Sequence, residues 1–271
     1  HARSISLPSR IHPLAASIEE QLCKLKSQAT SSLLSNQLGG LKELNVFIEG
    51  FLRLPLTQQA LSHNLNRESV EEVLNGSLMV LDLCGTTRDV FSQMKDCLQE
   101  LESSIRRRRG GQSGLESEIG AYLISRKKLN KVINKCFSNI KSMEKKCKDS
   151  EPGAVITTLK EIEEVSLTVF QSLLSSISQP KARSNWSIVS KMLKNKRVSC
   201  NEEADTNEVQ KMEAELLVLK LSKDLNVVQV KEVLKGLKAL VLSIQELEEE
   251  MECIFRHSLK TRASLLNILS N

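Results

Sequence analysis

Apolar residues recur along this chain at alternating steps of three and four. Phe91, Met94, Leu98, Leu101 and Ile105 form one such row, and Val233, Leu237, Leu240, Ile244, Leu247, Met251 and Ile254 form the longest. Rows with this period place their side chains on one face of an α-helix, as in the seam of a coiled coil. Leu115, Ile119, Tyr122, Leu129, Ile133, Cys136, Ile140 and Met143 make another row. Val155, Leu159, Ile162, Val169 and Leu173 make a further one, and Ile18, Leu22 and Leu25 a short one. No segment alternates with period two for long enough to require a sheet.

Punctuation residues divide the rows into elements. A first helix is predicted from Pro13 into the serine-rich stretch Thr30 to Ser35, and Gly39–Gly40 is expected to separate it from a second helix through Leu44, Phe47, Ile48 and Phe51. Pro55 should end that helix and open the short one "PLTQQALS", because proline disfavours a helical residue before it and suits a first turn. Ser69 and Glu72, in "SVEE", fit a capping box, so a helix of about 40 residues is predicted from there to Arg109. "RRRRGGQSG" then places cations at a helix C-terminus and glycines where the chain turns. A second long helix follows, making an antiparallel hairpin with the first. The expected fold is all-α: an elongated bundle of long antiparallel helices with coiled-coil-like seams. Residues 1–12 form a flexible motif-bearing segment before a single bundle over 13–271, with a loose linker at 178–207 in which Trp186 docks a short helix.

Composition agrees with aliphatic helix packing. The chain of 271 residues has 40% hydrophobic and 26% charged residues but only 3% aromatic ones, with Gly 11 and Pro 5. Its seven cysteines include no CxxC and sit mostly at apolar positions of the rows, which reads as reduced core thiols in a reducing compartment. No run reaches the roughly 18 apolar residues of a membrane span, and the start lacks a signal-peptide core. A cytoplasmic protein is expected, peripheral to membranes at most. A plastid transit segment and nuclear import through "RRRR" are the weaker alternatives.

The net charge of +5 conceals two opposed blocks. From Ser104 to Asp149 there are 13 Lys/Arg against 4 Asp/Glu, and from Glu202 to Glu252 there are 6 against 13. Such blocks steer helices against each other within a bundle or across a self-associated pair, and solvated outer faces are the plain reading. The sharper one is attraction to anionic lipid through the hairpin 106–148, with Arg106, Arg107, Arg108, Arg109, Arg126, Lys127 and Lys128 as the patch. Nucleic acid is disfavoured, because stacking rings are few among these cations.

Catalytic patterns are missing: there is no P-loop, GxGxxG, GxSxG or HExxH. Cys253 and His257, four apart on one face, give two metal ligands without the further two a zinc site needs. No enzyme activity, cofactor or metal is expected.

The N-terminal "RSISLPSRIHPL" carries the sharpest motif. Arg3 stands three residues before Ser6 and Pro8 two after it, and with Ser4 the pattern R-S-x-S-x-P resembles the phosphopeptide that 14-3-3 proteins bind through arginines. Ser199, in "KRVS", is a second, weaker phosphorylation candidate. Protein partners, 14-3-3 proteins among them, are therefore expected.

"RSISLPSRIHPL", "LPLTQQALS", "GSLMVLDLCGTTRDVF", "LQELESSIRRRR" and "KTRASLLNILS" together resemble the BYPASS-related plant proteins, a family catalogued largely as a domain of unknown function. The resemblance spans Arg3 to Ser270. It implies a non-enzymatic plant protein associated with root and shoot development, with no catalytic residues to carry over.

Overall fold

The rows of aliphatic residues fold as helices throughout the residues described by the computed structural model: 12–28, 34–62, 67–107, 114–144, 153–178, 208–222 and 227–270. Among these residues there are eight helices and no strand: α1 Pro13–Gln28, α2 Leu34–Leu52, α3 Pro55–Ser62, α4 Arg67–Arg107, α5 Leu115–Glu144, α6 Ala154–Ile177, α7 Glu208–Leu221 and α8 Val227–Ser270. The protein is an all-α bundle. Its residues sort into two compact units, with boundaries inside α4, α6 and α8 and a further one between α5 and α6. The N-terminal motif segment up to residue 11, nearly all of the linker 178–207, and Trp186 with it, lie outside the described residues.

Unit 1 takes residues 1–84, 148–169 and 252–271. Ile18, Leu22 and Leu25 of α1 pack with Leu38, Leu41, Leu44 and Ile48 of α2, each at most 4% exposed. The two helices run antiparallel: Leu14 lies beside Gly50, while Gln21 and Leu25 lie beside Gly40. Gly39 and Gly40 do not separate helices as the sequence suggested; α2 runs straight through them. Gly40 is needed for close approach. A Cβ there would fall 2.8 Å from Leu25 Cδ2, and without one Gln21 Nε2 donates to the Gly40 carbonyl at 2.9 Å. Pro55 acts as expected, opening α3 two residues after α2 has ended.

In the same unit α4 and α6 run parallel, with Glu72 facing Lys160 and Gly76 facing Glu163. The start of α4 differs from the capping-box reading. The helix begins at Arg67, and Ser69 is buried within its first turn at 1% exposure, where it cannot serve as the cap.

Unit 2 takes residues 85–147 and 170–251. The predicted row Phe91, Met94, Leu98, Leu101 and Ile105 is buried to 3% or less, and Leu115, Ile119, Tyr122, Leu129, Ile133, Cys136 and Ile140 of α5 are buried as well. On α8, Val233, Leu237, Leu240, Ile244 and Met251 are buried in turn. Burying one such side chain is worth about 1.5–3 kcal/mol, so these rows supply the driving force that single helices lack. α5 and α7 run antiparallel: Arg126 meets Glu213, and Gly120 lies opposite Lys220. α4 and α8 are tied by the ion pair of Lys95 with Glu248.

Of the cysteines, Cys84 and Cys136 are buried and Cys97 and Cys253 half-buried, all free. Cys23 departs from the core reading: it is exposed on α1, between the buried Leu22 and the exposed Lys24. No helix among the described residues is long and apolar enough to cross a membrane.

Candidate functional site

Helix periodicity sorts the charged side chains of unit 2 into outward and inward faces, and this separates the residues of the expected basic patch. Arg106 and Arg107, in the last turn of α4, are exposed. Arg106 pairs with Glu102 one turn earlier, and Arg107 Nη2 donates to Ser104 Oγ at 3.1 Å. Lys127 and Lys128 are exposed on α5. Arg126 is not part of any outward patch. It is 1% exposed, its Nε donates to Glu213 Oε1 at 2.6 Å, and its Nη2 donates to the Ile177 carbonyl at 2.6 Å. Its position four residues after Tyr122 and three before Leu129 puts it on the buried stripe, so burial of the stripe carries the guanidinium inward. There it closes the C-terminal end of α6, where free carbonyls and the helix dipole favour a cation. The Tyr122 hydroxyl is buried against this guanidinium. Burial pushes the Tyr122 phenol upward from its usual range.

Arg108 and Arg109 lie outside the described residues, as do Arg3, Ser4, Ser6, Pro8 and Ser199.

The structure brings together a different set of cations. Arg106, Lys231, Lys235 and Lys238, with Leu234 as a largely buried floor, line a groove of about 460 Å³ in unit 2. Among the described residues no carboxylate lines it. Lys231, Lys235 and Lys238 follow one another at steps of four and three, on one face of α8, and all three are exposed. None of them takes part in an ion pair among the described residues. Like charges one turn apart cost a helix about 0.2–0.5 kcal/mol per pair, so this row works against the helix that carries it. Glu232 is not among the walls and acts on Glu215 instead; burial first, and then this like charge, raises the Glu215 carboxyl. Sequence reasoning missed this row, because the block from Glu202 to Glu252 is acidic in sum and the lysines were averaged away. Their spacing was the available signal.

Unit 1 holds a small cavity of about 40 Å³ where α2, α4, α6 and α8 meet. Among its lining groups are Asn45, Ser77, Glu163, Ser166, Ser258 and Thr261. The Glu163 carboxyl rests directly over Gly76, where a Cβ would fall 1.9 Å from Oε2. Burial raises this carboxyl well above the usual range, only partly opposed by Lys160. The Thr261 hydroxyl is buried with no partner among the described residues. Around the cavity the helices are tied by polar contacts. Lys160 Nζ meets Glu72 Oε2 at 2.5 Å, His257 Nδ1 meets Glu49 Oε1 at 2.5 Å, and Arg262 Nη1 donates to the Leu74 carbonyl and to Ser77 Oγ. His257 is thus engaged by a carboxylate of α2. Among the described residues no group of three or more His, Cys, Asp or Glu could hold a metal ion.

An all-α bundle whose buried polar groups tie helix to helix defines the class. Residues 37–268 match the model of the family described as Protein BPS1, and the chain belongs to that family, in line with the BYPASS-related resemblance of its sequence. No curated protein and no solved structure matches it.

Proposed function

We propose that this protein is a non-catalytic helical regulator of plant root and shoot development that works by binding other proteins, in the cytoplasm or at the periphery of a membrane. Family membership carries the developmental part of this reading. The binding part is supported by how the polar side chains are used: Arg126, Glu213, His257, Glu49, Lys160 and Glu72 are spent on holding helices together. Regulation is assigned to the N-terminal segment, where phosphate on Ser6, with Arg3, Ser4 and Pro8 around it, offers a 14-3-3 dimer an extended phosphopeptide. Ser199 is the second candidate.

The test compares peptides covering residues 1–14, with and without phosphate on Ser6, for binding to a 14-3-3 protein, and affinity purification of the full chain from plant tissue with its Ser6→Ala variant. Phosphate-dependent binding, lost in the variant, is expected. Equal binding of both peptides refutes the phosphorylation switch, and turnover of a metabolite by the purified chain refutes the non-catalytic reading.

A further inference from the structure

Four cations converge on the groove between the end of α4 and the first turns of α8, and no acid stands among its walls as far as the described residues form them. Arg106 reaches it from α4. Lys231, Lys235 and Lys238 reach it from three points spread over about 10 Å of the α8 axis, taking 1.5 Å per residue. We propose that this groove binds a small ligand bearing several closely spaced phosphate groups. This goes beyond the protein-binding reading above, which does not use the groove.

Three features select this chemistry. Lysine ammonium groups bind phosphate oxygens as point charges, and several of them within one groove match the charge density of clustered phosphates better than that of a single carboxylate. Among the described lining residues there is one arginine, and it is already engaged by Glu102. The volume of about 460 Å³ suits a compact ligand. The apolar floor is Leu234 and no ring lines the groove among the described residues, so they offer stacked bases no platform and disfavour a nucleic-acid strand as the occupant. A dense anion also relieves the repulsion among lysines placed one turn apart on a single face.

Such phosphates reach a protein either on a free polyphosphorylated ring or on the headgroup of a membrane lipid. The face of α8 that carries Lys231 continues toward its start through Val227 and Val228, four and three residues earlier, which are 68% and 65% exposed. Aliphatic side chains beside a lysine row suit the boundary of a bilayer, where apolar groups enter and ammonium groups stay at headgroup level. The chemistry of the groove is the same for both sources.

The experiment uses the full chain. Calorimetric titration with inositol hexakisphosphate measures the free ligand. Sedimentation with phosphatidylcholine vesicles containing phosphatidylinositol bisphosphate, against phosphatidylserine vesicles of equal charge, measures the headgroup. Both are run at two salt concentrations, with circular dichroism to confirm helix content. Lys235→Gln/Lys238→Gln is expected to weaken binding at least 10-fold. Lys127→Gln/Lys128→Gln, an equal charge loss on the exposed face of α5, should change it less than 2-fold. Titration without sedimentation supports a soluble ligand, and preferential sedimentation with the bisphosphate vesicles supports a headgroup. Absence of both, or an equal loss in the α5 control, overturns the proposal.

Discussion

Arg126 and Glu213 lie 87 residues apart in the chain and meet at 2.6 Å in the interior of unit 2, with the arginine 1% exposed. The pair joins α5 to α7, and the second arm of the guanidinium reaches the last carbonyl of α6. A cation read from the sequence as part of an anion-seeking surface is thus the joint of three helices.

Replacing Arg126 with Met removes the cation that the largely desolvated Glu213 carboxylate and the Ile177 carbonyl share. A loss of about 3–5 kcal/mol in urea unfolding is expected, as for other broken buried pairs. Arg126→Met/Glu213→Leu should recover much of it, because the desolvated carboxylate is then removed together with its cation. Equal losses in the single and double variants would show that the pair is not what links these helices.

Glu163 makes the stability of the chain fall with rising pH. Its folded-state carboxyl is raised, so above the ordinary carboxyl range the folded chain holds a proton that the unfolded chain has released. The stabilisation from the neutral carboxyl is complete below the ordinary range. It is lost as pH climbs toward the raised value, at no more than about 1.4 kcal/mol per pH unit. Glu163→Gln should flatten thermal melts between pH 5 and pH 8 and raise Tm at the upper end. A parallel pH profile in the variant would exclude this group as the source.

Gly76→Ala tests the seat of that carboxyl. The added methyl occupies the position of the Glu163 oxygens, and forced repacking of this kind costs about 1–3 kcal/mol, against a helix-propensity gain of up to about 1 kcal/mol. The exchange is expected to destabilise in the native background. In a Glu163→Ala background, where the space is free, it should be neutral or stabilising. The coupling is read from chemical denaturation of the four chains in the cycle.

Thiol labelling separates the cysteines by burial. Cys23 is exposed, whereas Cys84 is buried completely and burial pushes the Cys136 thiol up from its usual range. Peptide mapping after brief maleimide treatment should find Cys23 modified, with Cys84 and Cys136 modified only after denaturant is added. Early modification of Cys84 would contradict the packing of unit 1.

The helices were legible in advance because a period of three and four is a local property: it depends on which face a residue occupies, and neighbours in the chain fix that. Hence the row from Phe91 to Ile105 and, apart from the half-buried Leu247, the row along α8 are buried as read, and Pro55 marks a true boundary. Gly39 and Gly40 misled because glycine has two uses, turning the chain and admitting a neighbour. Only the presence of Leu25 and Gln21 against Gly40 decides for the second.

Charge was least legible. Counting Lys and Arg by blocks placed Arg126 on the outside and hid Lys231, Lys235 and Lys238 inside an acidic region. A charge acts through space, over distances set by which helices lie side by side, and the one-dimensional order does not contain those distances. The sequence by itself determined that this protein is built of helices and which stripe of each is buried. The tertiary structure decided which cations face inward to seal helix ends and which gather around an open groove, because that depends on the pairing of helices distant in the chain.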